Sequence, residues 1–169
     1  MPSFFSMLAR HWRFAILLLV VVFAVLIRGS SALLSFFSPV PPREVPHYAT
    51  LTIGTTSVPV LVADTPQLTY RGLSGVTSLD PARGMLFVFP TMATRTFVMR
   101  DMRFPLDFVW VSDGYISDLV YNAPLEIGVQ EESLTRYTGR YPVDMVLEVP
   151  SGTVRSIGWR VGDSVRVQY

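Results

Sequence analysis

Arg71, Arg100, Asp101 and Asp107 are the side chains of this sequence best suited to chemistry, and three of them fall in one stretch. That stretch is "TFVMRDMRFPLDFVWV", Thr96 to Val111, where charges stand between two apolar runs. Charged side chains are rarely buried unless paired, so this turn either lies in water or builds a site. A guanidinium offers a rigid fork of donors that fits a carboxylate or phosphate. Two carboxylates such as Asp101 and Asp107 can divide acid and base work when their separation allows it. Met85, Phe97 and Met99 would ring such a polar site with apolar surface. Met85, Met99 and Met102 read otherwise as core filler. Arg71, just before Gly72, can equally neutralise the end of a helix. The chain has no Cys and no Lys, and its two His, His11 and His47, both precede the patterned region. That excludes Ser-His-Asp and Cys-His nucleophiles, His or Cys zinc sites, Schiff bases and the phosphate loop with its Lys. Carboxylate, hydroxyl, arginine and backbone chemistry remain, with no metal or cofactor expected.

The elements that must position these residues follow from period and punctuation. "YATLTIGTTSVPVLVA" alternates as a strand, turns at Gly54 and enters a second strand that Pro59 pushes toward an edge or bulge. "DTPQLTYRGLSG" predicts a short helix, with Asp64 or Thr65 as cap, Pro66 at its first position and Gly72 or Gly75 as its stop. "RGMLFVFP" is an apolar strand, Met85 to Phe89, covered on both faces and ended by Pro90. Further strands are expected at Thr96–Met99, Leu106–Val111, Ile116–Tyr121, Met145–Val149 and Ser164–Val167, with a two-residue turn at Asp113-Gly114. Residues 122–142 read as a polar rim or lid, and "SGTVRSIGW" as a short helical turn. The whole is a compact, mostly β domain (α+β), an antiparallel barrel or sandwich with two short helices.

Within that frame Asp107 is the lone charge on its strand face, since period 2 sets Leu106, Phe108 and Trp110 opposite Asp107, Val109 and Val111. A lone buried carboxylate most simply accepts backbone N–H groups or pairs with an Arg. The functional alternative gathers Asp107, Arg71, Arg100 and Asp101 at one mouth of the barrel. Glu148 in "LEVP" alternates with Leu147 and Val149, which predicts that it faces solvent.

Ahead of this domain, residues 48–169, lie two other segments. Arg10, His11 and Arg13 precede an apolar run from Phe14 to Ile27, fourteen residues long and followed by Arg28. At ~1.5 Å per residue it spans roughly 21 Å, so crossing a ~30 Å hydrocarbon core needs the flanking residues as well. Residues 1–37 are read as an uncleaved transmembrane anchor, with a cleaved signal peptide as the alternative. The N-terminal basic cluster favours an N-inside orientation and an exported domain. Residues 38–47, "SPVPPREVPH", hold four prolines and read as an extended linker. Residues 48–169 carry ten Arg against twelve acids, a slightly acidic balance that argues against a nucleic-acid partner.

Five stretches, "ADTPQLTYRGL", "RGMLFVFP", "TFVMRDMRFPLDFVWVSDG", "VLEVPSGT" and "GWRVGD", resemble in order the family called domain of unknown function 192, over Leu51 to Val167. The resemblance implies a compact, mostly β fold, often exported or membrane-anchored in bacteria, and no established reaction. The family stretch usually reads Phe-Trp-Met-Lys-Asn-Thr. Val98 here stands where Trp is usual, Arg100 where Lys is, Asp101 where Asn is and Met102 where Thr is.

The resulting expectation is a single-pass protein of the bacterial inner membrane, its domain facing the periplasm or outside, or secreted after signal cleavage. Its domain would be a binding module for a small polar ligand, a glycan or an envelope protein. The candidate ligand-binding residues are Arg71, Met85, Met99, Arg100, Asp101 and Asp107. An enzyme, as a carboxylate-dependent hydrolase or lyase acting on envelope sugars, is the other reading.

Overall fold

Residues 44–169, the part that the computed structural model describes, open on a hairpin of β1 (His47–Ile53) and β2 (Thr56–Ala63). The helix α1 (Pro66–Arg71) follows as its sequence predicts: the Thr65 hydroxyl accepts from Leu68 N–H, and Gly72 ends it in the left-handed region at φ 49°. Next come β3 (Met85–Ala93), the two-residue β4 (Thr96–Phe97), β5 (Leu106–Ser112) and β6 (Tyr115–Ala123). A 3₁₀ turn at Glu131–Ser133, β7 (Tyr137–Thr138), β8 (Val143–Pro150), α2 (Thr153–Ile157) and β9 (Val165–Gln168) complete the chain.

Seven strands form one curled sheet in the order β6-β5-β8-β3-β2-β1-β9, and β4 pairs with β7 as a separate ribbon. The sheet's two edges meet at one corner, where Tyr115 bridges Ser164 and Val165 N–H donates to Gly114 O at 2.8 Å. A half-barrel results. Asp113 and Gly114 both take positive φ, 51° and 77°, as a tight β5–β6 hairpin turn requires.

The mostly β fold with two short helices agrees with the sequence reading, and three details differ. β2 and β3 pair in parallel, not antiparallel, because the chain crosses over through α1 between them. β3 runs past Pro90 to Ala93; the proline is tolerated because its ladder to β8 is interrupted between Val88 and Ala93. The expected rim, residues 122–142, supplies β7, which pairs with β4. At the N-terminal boundary, His47 is already in β1 opposite Val62, and the Glu44 carboxylate accepts from the Thr65 hydroxyl. The domain thus begins inside the segment read as linker.

Two apolar clusters occupy the two faces of the sheet. One holds Leu51, Ile53, Val60, Leu86, Val109, Leu147 and Val149, joined by Val154 of α2 and Trp159, and fills the curl. The other holds Met85, Phe87, Phe108, Trp110 and Val146, covered by Leu68 of α1, Leu73, Met99 and Met102. The β4–β7 ribbon closes over it: Phe97 meets Phe87 edge-on at 4.9 Å, and Tyr137 lies 5.3 Å from Phe108. No helix among the described residues is long and apolar enough to cross a membrane, and the apolar run at 14–27 lies outside them.

Candidate functional site

The second cluster is not sealed at its α1 end. Between the end of α1, the segment from Thr94 to Val98 and the strands β3 and β8 lies a groove of about 520 Å³. Its walls are fixed by local bonds. Past Gly72 the chain turns back, and the Ser74 hydroxyl donates to Arg100 O at 2.9 Å while Gly75 N–H donates to Asp101 O at 2.9 Å. The helix end and the turn after β4 are thereby tied into one rim.

Three guanidinium groups line this groove, each from a different segment. Arg71, the last residue of α1, donates to Glu44 O at 3.2 Å. Arg100 stacks over the Tyr70 ring at 4.1 Å, donates to Tyr70 O and pairs with Glu131 at 3.0 Å. Arg95 lies 4.0 Å over Phe89 and donates to Thr91 O at 2.7 Å, and its Nε is buried without a partner among the described residues. Aromatic faces hold two of these planar cations in place.

The one carboxylate lining the groove is Glu148, and the sequence reading placed it wrongly. Glu148 is 4% exposed rather than solvent-facing, because β8 is a central strand and both of its faces are covered. Its cross-strand neighbours are Met85 on β3 and Phe108 on β5, neither able to bond it. Its Oε2 is buried with no hydrogen-bond partner among the described residues. Loss of hydration pushes its pKa up to about 8, so the carboxyl is chiefly neutral at pH 7. Gly84 holds β3 close to this spot: a Cβ there would lie 2.4 Å from Glu148 O.

The other candidates divide. Arg71 and Arg100 share the groove, while Met85 and Met99 are buried in the core beneath it. Asp101 is exposed on the turn and, with Arg100 and Glu131, lines an adjoining cavity of about 310 Å³. Asp107 does not join them. Strand alternation sets it on the opposite face, 1% exposed, where its two oxygens accept from Asn122 N–H at 2.9 Å and Val154 N–H at 3.1 Å. It ties β6 and α2 to β5, and no Arg pairs with it among the described residues. Sequence reasoning missed Glu148 and Arg95. For Glu148 the local signal points the wrong way, since it shares its parity in "VDMVLEVP" with Asp144 as well as Val146. For Arg95 there was none. No group of three or more His, Asp or Glu side chains that could hold a metal occurs among the described residues.

The model of the uncharacterised family DUF192, described as "Uncharacterized ACR", matches residues 49–167. The chain belongs to this family. Its fold is shared with a "putative transcription regulator" from Sinorhizobium meliloti, at 26% identity and a TM-score of 0.66, over 74% of this chain and 97% of that one. A protein of unknown function from Novosphingobium aromaticivorans is also similar, with 26% identity, a TM-score of 0.61, and coverage of 76% of this chain and 89% of that one. No curated protein in the comparison matches. Where this chain departs from the family's usual stretch, the geometry gives two reasons to notice. Val98 and Met102 both line the groove. Asp101 takes φ 53°, a left-handed conformation that Asn and Asp tolerate best among non-glycine residues.

Proposed function

We propose that this protein is an exported, membrane-anchored binding module whose groove at Arg71, Arg95 and Arg100 holds a small polar ligand carrying a negative charge. One observation carries the reading: three guanidinium groups from three separate segments converge on one groove, and its single carboxylate is unpaired and chiefly neutral. Arg100 is already paired with Glu131, so the groove's unpaired positive charge among the described residues lies at Arg71 and Arg95, and fixed guanidinium forks are the usual partners of carboxylate and phosphate. The basic cluster and apolar run before residue 28 support the anchor and the outward orientation. The hydrolase reading has less support, since a glycosidase pair needs a second carboxylate beside Glu148. Asp107 occupies the other face of the sheet, and Asp101 opens toward the adjoining cavity.

The test is a thermal-shift panel of small organic and inorganic anions against the parent and an Arg71→Ala/Arg95→Ala variant. A ligand at a hundred times its Kd should add about 2.7 kcal/mol to the parent's stability and much less to the variant's. An anion that stabilises both proteins equally would count against the groove. Recovery of the full chain from the soluble cytosolic fraction would count against the anchor.

A further inference from the structure

The groove has two chemical ends: guanidinium groups at its rim and an unpartnered carboxyl within it. We infer that its ligand is a hydroxylated carboxylic acid of sugar-acid size, with its carboxylate at Arg71 and Arg95 and a hydroxyl or ether oxygen accepting a hydrogen bond from the Glu148 carboxyl. This deepens the anion-binding reading of the same groove and rests on it.

Glu148 lines the groove, is 4% exposed, and has an oxygen buried without a partner. A buried polar group without a partner is costly, and a ligand that supplies the missing bond recovers that cost on binding. The partner's chemistry is narrowed by the surroundings. A cationic nitrogen would meet Glu148 only in a groove to which Arg71 and Arg95, paired with no carboxylate among the described residues, already add positive charge. A purely apolar ligand would leave the carboxyl unbonded. A neutral carboxyl has one donor and spare acceptor capacity, which a hydroxyl or ether oxygen matches. Phe97 and Phe89, half-buried, line the groove with apolar surface for the C–H side of a small polyol ring, one face of Phe89 being already covered by Arg95. The volume of about 520 Å³ admits a molecule of this size.

The charged and titratable groups that line the groove with Glu148 are Arg71 and Tyr70 from α1, Arg95 from the connection before β4 and Arg100 from the turn after it, the last paired with Glu131. β3 and β5 present Met85 and Phe108 on either side, which do not titrate. Burial keeps the carboxyl protonated up to about pH 8, so a hydrogen bond donated by Glu148 should weaken above that pH.

The experiment is calorimetric titration of the full chain with D-glucuronate and with D-glucose at pH 7 and pH 9. The expected result is glucuronate binding that is about tenfold weaker at pH 9 than at pH 7, with glucose much weaker at both. Glu148→Gln should bind glucuronate equally at the two pH values, since its amide donates without titrating. Glucuronate affinity unchanged from pH 7 to pH 9 in the parent would overturn the role of Glu148 while leaving the anion groove intact. Binding of acetate or inorganic phosphate as tight as that of glucuronate would overturn the hydroxylated class. Failure of every anion to bind would reject the groove itself, and this inference with it.

Discussion

Replacing Glu148 by Gln should make the protein more stable at neutral pH, an unusual outcome for a buried position on a central strand. The carboxyl's ordinary value is 4.5, and burial raises it to about 8 in the folded chain. Below pH 4.5 the group is protonated whether the chain is folded or not, and it adds no pH dependence. As pH rises through the window, the unfolded chain releases the proton and the folded chain does not. Stability therefore falls by about 1.4 kcal/mol per pH unit until the folded group also ionises near pH 8. The loss reaches about 3 kcal/mol at pH 7 and about 5 kcal/mol above pH 8. A Gln amide has similar size and polarity without the titration, so the variant lacks this slope. Urea unfolding of parent and variant at pH 5, 7 and 9 measures it directly, because the other carboxylates cancel in the difference. Parallel stability profiles across that range would refute the reasoning and show that Glu148 finds a solvated or paired environment.

Four further outcomes follow from particular contacts. Asp107→Asn turns one acceptor oxygen into an NH₂ that faces a backbone donor, Asn122 or Val154 N–H, so chemical denaturation should show a loss of about 1.5 to 3 kcal/mol. Arg100→Ala should cost about 1 kcal/mol rather than the near-zero of an exposed turn, because it removes the stack on Tyr70 and the pair with Glu131 together. The Arg140 guanidinium grips Asp118 through bonds of 2.8 and 3.1 Å and holds its carboxyl below the ordinary 3.8. That stabilisation is present above about pH 4 and fades as pH falls through the lowered value, so the melting-temperature gap between parent and Asp118→Asn should shrink in acid. Val98→Trp, which restores the family's usual residue on the groove wall, should abolish any ligand-induced thermal shift while leaving the unliganded melting temperature within a few degrees.

What could be read from the sequence was what local chemistry decides. Pro66, Thr65 and Gly72 start and stop α1 by interactions within one turn, and Asp113-Gly114 closes the β5–β6 hairpin by backbone conformation alone. The parallel β2–β3 pair and the β4–β7 ribbon join segments far apart in the chain, and the ribbon's two-residue strands carry too little pattern to register. The same limit governs the site. Asp107 was identifiable as a lone charge on an apolar face, but parity is defined only within its own strand. Which side of the sheet Arg71 and Arg100 occupy depends on the crossover through α1, so the grouping of Asp107 with them did not survive. Glu148 was misplaced for a related reason: alternation identifies a solvent face only on a strand with one face open, and β8 has an apolar cluster on each face, Leu147 and Val149 in one and Val146 in the other.

The crossover that hid the site from the sequence is also what makes it. A parallel β2–β3 pair forces the chain out over the sheet, and α1 is only six residues long. It brings Arg71 and the Gly72 turn close over Phe87, whose ring would lie 3.3 Å from a Cβ at Gly72, yet it covers too little of β8 to bury Glu148 against a partner. A longer helix would seal the groove, and a bulky side chain at position 98 would narrow it; this chain has neither. An apolar residue at position 148 would satisfy the packing of the second cluster without the pH-dependent cost. A group that lowers stability by about 3 kcal/mol at pH 7 is explicable where binding recovers the loss, which is how strained or desolvated groups are found at functional sites. If that is the reason for Glu148, Glu148→Gln should gain stability and lose the pH response of ligand binding in the same protein. A variant that gained the first without altering the second would separate the buried carboxyl from the groove's function.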